Sequence, residues 1–576
     1  RYFLYQMNNK IIKAQRQLIT NDKLSGLYLQ NGCIPFDTMP FISSPIDHNP
    51  RLSDLFNCIP AKDRKHELLA RYVRNNTEIK GQLFTTVSDI DGFGNVAELA
   101  QKYNEKLWYG HLEHSKLVIE NGQIFINGYK DDTCWIINKL KSLSSSGVQN
   151  YSNSVDAWLD SPNSGVDCDE KKAALRQMYE NSKVALIYGS AGTGKSTLIN
   201  HVAHFLANKR KLFLCQTNPA VDNLKRRVTA ANCTFLTISK FLRREAIQTD
   251  YDLLVIDESS TVSNSDMRKV LGKANYQLLL LVGDTYQISS IRFGNWFSVA
   301  RKFILETSVF KLTIPYRSND DNLKLLWERV RNMDDTILEL IARQEYSITL
   351  DASIFDNAED DEVILCLNYD GLYGINNINR FLQESNPNDA VQWGIQQYKI
   401  GDPILFNESD RFAPVIYNNM KGKIVGIEVV NPDDVAGYIQ FDIELNKVIN
   451  GMDALMQDFD LLENSQCGNS VIRFKVYKTR STDEDDEGSS RAVVPFQVAY
   501  ALSIHKAQGL EFRSVKIVIT DEVDELITHN IFYTAITRAQ SKLRIYWTPE
   551  VENKVLTSIQ PRSINKDVGL LRRYIR

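Results

Sequence analysis

The chain has 576 residues, 43% of them hydrophobic and 24% charged, and 67 Lys and Arg set against 71 Asp and Glu give a formal net charge of −4. This is ordinary globular composition, with enough chain for several cores and roughly four domains by length. It excludes a uniformly basic nucleic-acid coat, so any polynucleotide contact must come from a local basic groove. The eight cysteines contain no C-x-x-C pair, which argues against a zinc module or a disulfide scaffold and for reduced thiols in a cytoplasmic setting. No apolar run approaches the length of a membrane span.

In chain order, residues 1–162 read as an α+β accessory domain with its linker. Asp63 to Val73 is helix-like, and Lys116 to Tyr129 is strand-like with a turn at Asn121-Gly122. Ser144 to Gly165 is rich in Ser, Asn and Gly and reads as a linker. Residues 163–310 alternate helices with the short apolar strands Val184–Tyr188, Leu212–Gln216, Leu253–Ile256 and Leu278–Val282, the pattern of a parallel α/β sheet. A second alternating block covers 311–399 and resumes over 495–576. Between its halves, 400–494 reads as β-rich, and the tract from Asp483 to Ser490 as a charged, solvated loop. His111/His114 and His201/His204 have helical i, i+3 spacing without an evident third ligand, so metal binding is the weaker reading for both.

The chemistry concentrates at Gly189-Ser190-Ala191-Gly192-Thr193-Gly194-Lys195-Ser196, which fits G-x-x-x-x-G-K-[ST]. An apolar strand precedes it and a helix-competent stretch beginning at Thr197 follows, the context a phosphate-binding loop requires. Glycines let backbone N–H groups close around phosphates, and the helix start adds partial positive charge. Lys195 is expected to reach the outer phosphates and Ser196 to ligate Mg²⁺. Leu253-Leu254-Val255-Ile256-Asp257-Glu258 is an apolar strand ending in two carboxylates, which opens onto the ligand crevice of such a sheet. Asp257 would hold Mg²⁺, and Glu258 would orient the attacking water.

Leu278–Val282 leads into Gly283-Asp284-Thr285-Tyr286-Gln287, which resembles the third motif of superfamily 1 helicases. The resemblance extends over roughly Lys171 to Trp547. Thr217 to Leu224 is similar to motif Ia of the superfamily 1B branch, and Thr237 to Phe241 to the next strand-contacting motif. Tyr316-Arg317-Ser318 resembles motif IV, Ala501 to Phe512 motif V, and Tyr533 to Ala539 motif VI. Gly401 to Phe406 and Asn418 to Val425 look like the SH3-like insertion of RecD/Dda-type helicases.

The resemblance implies two RecA-like P-loop domains, with an SH3-like β insertion in the second and an α+β N-terminal domain. It implies an ATP-driven motor on single-stranded nucleic acid, DNA before RNA, moving 5′→3′. In that frame Gln287 senses the γ-phosphate, and Arg317 and Arg538 supply guanidinium groups to ATP held by the first domain. Gly509 and Glu511 face the nucleotide. Thr217, Asn218, Thr237, Lys240, Ser503, His505 and Lys506 contact the strand without reading its sequence.

Two departures stand out. Lys171 occupies the place of an adenine-reading glutamine, with Gln177 displaced, and the stretch from Leu242 to Tyr251 is too short for the strand-splitting pin. The second departure leaves open an ATP-switched clamp within a bacterial defence or repair complex, its N-terminal domain docking a protein partner. Trp296 and Phe297 could stack on a base or pack at a domain interface. Lys225-Arg226-Arg227 and Arg243-Arg244 could extend a basic groove or cover a solvated helix.

Overall fold

The computed structural model describes residues 61–575 other than 79, 108, 162–163, 191, 245–249, 289–292, 315–319, 357–360, 370, 395, 408–409, 414, 432–436, 456, 466, 479–492, 522–526 and 560–562. Ala191, Arg317 with Tyr316 and Ser318, and the tract 483–490 therefore lie outside the described residues.

The N-terminal part begins with the helix Ala61–Glu78. Strands β1 (Thr85–Thr86), β2 (Leu117–Glu120) and β3 (Gln123–Ile126) form an antiparallel sheet in the order β1-β3-β2. Asn121 and Gly122 join β2 to β3 at φ 51° and 73°, the left-handed geometry a two-residue hairpin turn needs and an Asn-Gly pair supplies. The expected strand stretch ends short of Tyr129, which belongs to the helix Asn127–Leu143. The expected linker is also ordered. Residues Tyr151–Leu159 form a helix whose Tyr151 and Val155 are buried. Its apolar residues recur at helical spacing and pack on the first sheet, which overrides the loop-like composition.

Six parallel strands build the first sheet: β4 (Val184–Gly189), β5 (Lys211–Cys215), β6 (Cys233–Thr237), β7 (Asp250–Ile256), β8 (Asn275–Gly283) and β9 (Val309–Leu312). Their order is β6-β5-β7-β8-β4-β9. Every residue of β4 is buried, as an apolar run covered by helices on both faces must be. This topology carries the ends of β4, β7 and β8 to one edge of the sheet, side by side.

The second block contributes β10 (Ser347–Thr349) and β11 (Glu362–Cys366). The hairpin β12 (Ala390–Trp393) and β13 (Gln396–Lys399) follows. Next come β14 (Pro403–Phe406), β15 (Lys421–Val430), β16 (Tyr438–Leu445), β17 (Asp460–Leu461), β18 (Val471–Tyr477) and β19 (Phe496–Val498), paired antiparallel in the order β17-β18-β16-β15-β14-β19. This insertion has its own aromatic core around Phe406, Phe412, Phe441, Phe474 and Phe496. The chain then returns through β20 (Ala501–Ser503), β21 (Phe512–Val518) and β22 (Ala539–Trp547), completing a parallel sheet of order β10-β22-β21-β11-β20. Two parallel α/β sheets thus stand in one chain, the RecA-like arrangement, with an antiparallel β insertion interrupting the second.

The C-terminal residues do not stay with the second sheet, where 495–576 had been assigned. The helix Asn565–Leu571 crosses to the N-terminal side, and Val568, Leu571 and Ile575 join the core shared by Leu83, Phe84, Phe125 and the first sheet. Asp567 is the anchor. Its carboxylate accepts the N–H groups of Leu83 (3.1 Å) and Phe84 (3.4 Å) and the Asn295 amide (3.4 Å). The Asn127–Leu143 helix completes the junction, with Thr133 Oγ1 accepting from Asn264 at 2.6 Å and Asp132 paired to Arg268 at 2.8 Å.

Burial pushes the Asp567 carboxyl up to about 6, against the pull of its three donors. Because the folded value exceeds the unfolded one, the associated stability is present at low pH and lost as pH rises through about 6. The stability of the wild type relative to Asp567→Asn is therefore expected to rise by on the order of 2 kcal/mol between about pH 7 and pH 4. Urea unfolding at each pH measures it, and a difference that does not vary with pH would contradict the shift.

Candidate functional site

Three strand ends converge at the edge facing the second sheet. After β4 the chain turns through Gly192 and Gly194, at φ 78° and 76°, positions that a residue with a Cβ adopts only under strain. It then enters the helix Lys195–Phe205. The first N–H groups of a helix lack intrahelical acceptors, and a helix start favours a bound anion. Lys195 Nζ lies across the loop, donating to the carbonyls of Gly189 and Ser190 at 2.8 Å each. Thr193 Oγ1 donates to Ser190 O at 3.0 Å. Ser196 is half-buried in the first helical turn, and Thr197 is exposed.

β7 delivers Asp257 and Glu258 beside this loop. Asp257 is buried, and its Oδ1 accepts the Glu258 N–H at 2.9 Å. Burial raises the Asp257 carboxyl, with Lys195 and Arg227 pulling it back down. Glu258 sits at φ 52°, an uncommon conformation for a side chain of its size. Its carboxylate reaches across to the second sheet, where Oε1 lies 3.8 Å from the position a Cβ on Gly509 would take.

β8 delivers Asp284. This carboxylate is buried, with Oδ1 accepting the Tyr286 N–H at 3.0 Å and Oδ2 making no hydrogen bond among the described residues. Burial raises it, while Lys195 from the first unit and Arg331 and Arg538 from the second act to lower it. Lys195 and Arg538 therefore bear on one buried carboxyl group, although 343 positions separate them in the chain.

The segment after Asp284 is embedded in the second unit. Asn530 Nδ2 donates to the carbonyls of Gln287 (2.7 Å) and Thr285 (3.2 Å), and Ile288 N donates to Thr534 Oγ1 at 2.8 Å. The Tyr286 ring packs against His529 and Tyr533. Arg538 is itself buried, donating to Thr534 O (3.0 Å) and Leu510 O (3.1 Å). Glu511 Oε2 accepts from Gln540 at 3.0 Å, and its Oε1 stands 3.9 Å from Arg227 of the first unit. A cavity of about 220 Å³ between Ser190 and the helix Asp321–Asn332 is bordered by Lys324 and Arg331.

Lys195, Asp257, Glu258, Gln287, Gly509, Glu511 and Arg538 are thus brought together where the two sheets face each other. The sequence offers Asp284 only jointly with Gln287, as the carboxylate and amide of a motif that senses the γ-phosphate, and not as a buried group between the two units. Arg227 had been left between a groove and a solvated helix. Arg331 and Lys324 carry no motif signal, since on a polar helix face they read as ordinary surface cations.

The predicted strand contacts occupy the neighbouring edge. Thr217 Oγ1 caps Ala220 N at 3.3 Å, and Thr237 Oγ1 caps Lys240 N at 3.2 Å. Ser503 Oγ accepts the Lys506 N–H at 3.2 Å, so all three hydroxyls serve as caps. Asn218 is half-buried, whereas Lys240 and His505 are exposed. Lys506 Nζ donates to Gln497 Oε1 at 2.9 Å, and burial lowers its pKa.

Packing decides two points the sequence leaves open. Trp296 is wholly buried, its Nε1 donating to Val262 O at 2.8 Å, and Phe297 stacks on Tyr188 at 4.5 Å, so neither offers a face to a base. Lys171 turns inward to pair with Asp167 and is 1% exposed, so it offers no group to an adenine, while Gln177 is exposed. Among the described residues no cluster of three His, Cys, Asp or Glu side chains forms a metal centre. The hydroxyl of Ser196 with the buried carboxyl of Asp257 is the sparse, hard-oxygen donor set that Mg²⁺ accepts when phosphates complete its shell. Among the described residues no helix is long and apolar enough to cross a membrane.

The AAA domain family matches residues 168–348, and the UvrD-like helicase C-terminal domain family matches residues 498–546. An uncharacterized protein of Methanocaldococcus jannaschii is 22% identical over 69% of the chain, which spans only 40% of that relative's length. The RecBCD enzyme subunit RecD of Mycolicibacterium smegmatis is 22% identical over 71% of the chain and 75% of its own length. The ATP-dependent DNA helicase Pif1 of Campylobacter jejuni is 24% identical over 65% of the chain and 90% of its own. Over most of its length the chain is thus similar to RecD and Pif1 helicases.

Packing around the loop makes one test of this geometry. A Cβ on Gly189 would lie 2.5 Å from Thr193 Oγ1 and 3.2 Å from Leu312 Cβ. Gly189→Ala is expected to cost about 1–3 kcal/mol of stability, as overpacking does. Denaturant unfolding reads it, and an unchanged midpoint would mean that the loop yields freely.

Proposed function

We propose that the chain is an ATP-dependent motor that moves along single-stranded DNA, probing it with surfaces from both RecA-like units. One observation supports this above the others: the strand ends beside the Lys195 loop abut the unit that carries Arg538, with Glu258 Oε1 3.8 Å from a Cβ on Gly509 and the segment after Asp284 held by Asn530 and Thr534. A nucleotide at that junction would couple the two units, since its phosphates meet Lys195 and the helix start on one side and Arg538 on the other. Lys195 leaves the loop carbonyls for the outer phosphates, and Ser196 and Asp257 hold Mg²⁺, which neutralises phosphate charge when bound. Glu258, poised toward Gly509, orients the attacking water. Arg538 and Arg317 supply guanidinium groups to the charge that develops on transfer. Gln287 reports the state of the site through the Asn530 and Thr534 contacts of its own segment.

The strand would pass Thr217, Asn218, Thr237 and Lys240 on one unit and Ser503, His505 and Lys506 on the other, held by its backbone rather than by sequence. Movement in the 5′→3′ direction rests on the likeness of the β insertion to that of RecD-type enzymes. A clamp that hydrolyses ATP without parting a duplex is the second reading. It is favoured by the shortness of the chain between the helix Ile238–Arg243 and β7, six residues with no room for a pin.

ATPase activity is expected to rise on adding single-stranded DNA, and a 5′-tailed duplex to be opened in preference to a 3′-tailed one. Stimulation without opening selects the clamp, and a stronger response to a matched RNA selects an RNA motor. Glu258→Gln is expected to retain ATP binding while turnover falls by at least about 10²-fold, and Lys195→Ala to lose turnover altogether. Arg538→Ala is expected to lower kcat by about 10³-fold with nucleotide affinity little changed. Single-turnover hydrolysis with parallel nucleotide titration measures all three, and wild-type rates in Glu258→Gln would reassign the water-positioning role.

A further inference from the structure

The helix Ile375–Ser385, the β12–β13 hairpin and β19 enclose a groove of about 480 Å³ whose lining is dominated by carboxamides. Gln392, Gln396, Gln397, Asn376 and Gln497 border it, with the Tyr369 ring on one wall and Arg380 at the rim. Its walls are braced by two further amides. Asn379 receives the Ala501 N–H at 2.8 Å and donates to the Ala501 carbonyl at 3.1 Å, so it completes the exposed edge of β20 as another strand would. Gln383, 6% exposed, donates to the Gln397 carbonyl at 2.9 Å and ties the hairpin to the helix. Asn376, Gln392 and Gln396 stand exposed along the opening.

This chemistry suits one kind of ligand. A carboxamide presents a donor and an acceptor side by side, the complement of the donor–acceptor edge of a nucleobase, and Asn and Gln pair with adenine in this way. Unstacked bases of a single strand are held by such edges together with aromatic faces. Phosphates seek cations instead, and Arg380 at the rim is already paired with Glu384 at 3.2 Å. The groove also adjoins the candidate strand surface, because Gln497 on its wall accepts from Lys506 Nζ at 2.9 Å.

We propose that the amide-lined groove between the Ile375–Ser385 helix and the β12–β13 hairpin receives an unstacked base of the bound single strand and reads its edge. The backbone lies along Ser503–Lys506, and a base turns out of it toward Gln392 and Gln396. This inference rests on the strand-binding reading above and adds a base contact to it. A motor carrying such a contact grips base-bearing strands better than bare backbone and distinguishes among homopolymers.

The test is equilibrium binding, by fluorescence anisotropy, of end-labelled dA, dT and abasic oligonucleotides of equal length to the full chain without nucleotide. The wild type is expected to prefer the better homopolymer to the abasic strand by about tenfold, the scale of one bidentate base contact. That ratio is expected to fall towards one in the Gln392→Ala/Gln396→Ala double variant. Both positions are exposed, although Gln396 accepts from the Tyr398 hydroxyl, so an unchanged urea midpoint is required of the variants, and Gln396→Glu, of the same shape and acceptor but without the donor, is expected to lower the ratio as well. A wild-type ratio near one, or the same ratio in wild type and variants, overturns the base-reading groove, including the case in which a peptide is its true occupant. Failure of the wild type to bind any strand would instead remove the motor reading itself.

Discussion

A carboxyl group buried where two sheets meet, one oxygen making no hydrogen bond among the described residues, is the constraint around which the rest is arranged. Asp284 is 4% exposed and is pushed towards its neutral form by burial. An isolated buried carboxylate is expensive, and it is tolerated when cations stand near. Here they come from both sides: Lys195 from the phosphate loop, and Arg331 and Arg538 from the second unit. Lys195, Arg331 and Arg538 act together to lower a carboxyl that burial raises. Lys195 is also the group the phosphate loop would commit to a nucleotide.

The mechanical counterpart is the segment that follows. Thr285 to Ile288 leaves β8 of the first sheet but finds its partners in the second: Asn530, Thr534, Gln508 and the rings of His529 and Tyr533. Ile288 belongs to the hydrophobic core of the second unit. A rigid element packed into a core shifts with that core rather than deforming within it. Rotation of one unit against the other must therefore carry this segment or peel it away, and its root is Asp284.

Much of the first sheet was legible because parallel strands buried on both faces are written as unbroken apolar runs, and the glycine loop must sit between one such run and a helix. Val184 to Tyr188, Asp257 and Glu258 were found on those grounds. Trp296 and Phe297 were ambiguous because an aromatic pair after a motif looks the same whether it meets a base or a core. Only the Val262 carbonyl waiting for the indole N–H decides it. Tyr151 and Val155 were hidden by the serines and asparagines around them. Arg331 could not be read at all, because its importance comes from a carboxyl forty-seven positions earlier that the fold alone brings near. The Asn565–Leu571 helix was wrongly grouped for the same reason: chain proximity to β22 carries less weight than the buried partners offered by Leu83 and Phe84.

That helix limits how the molecule can move. The second unit is tied to the first by the chain near Thr313 and again between Ile559, in the core of the second unit, and Ile564, against the core of the first. With both ends of the crossing anchored in cores, the N-terminal part, the first sheet and the C-terminal helix form one body. The second sheet with its β insertion forms the other. A third contact spans them outside the cleft: Lys447 of the insertion lies 3.3 Å from Asp222 on the helix Asn218–Arg227, which also pairs with Arg226. Since burial raises and these cations lower the Asp222 carboxyl, with the net direction downward, the contact is a charged one at neutral pH. It is more exposed than the junction at Asp284, and it joins the β insertion directly to the first unit.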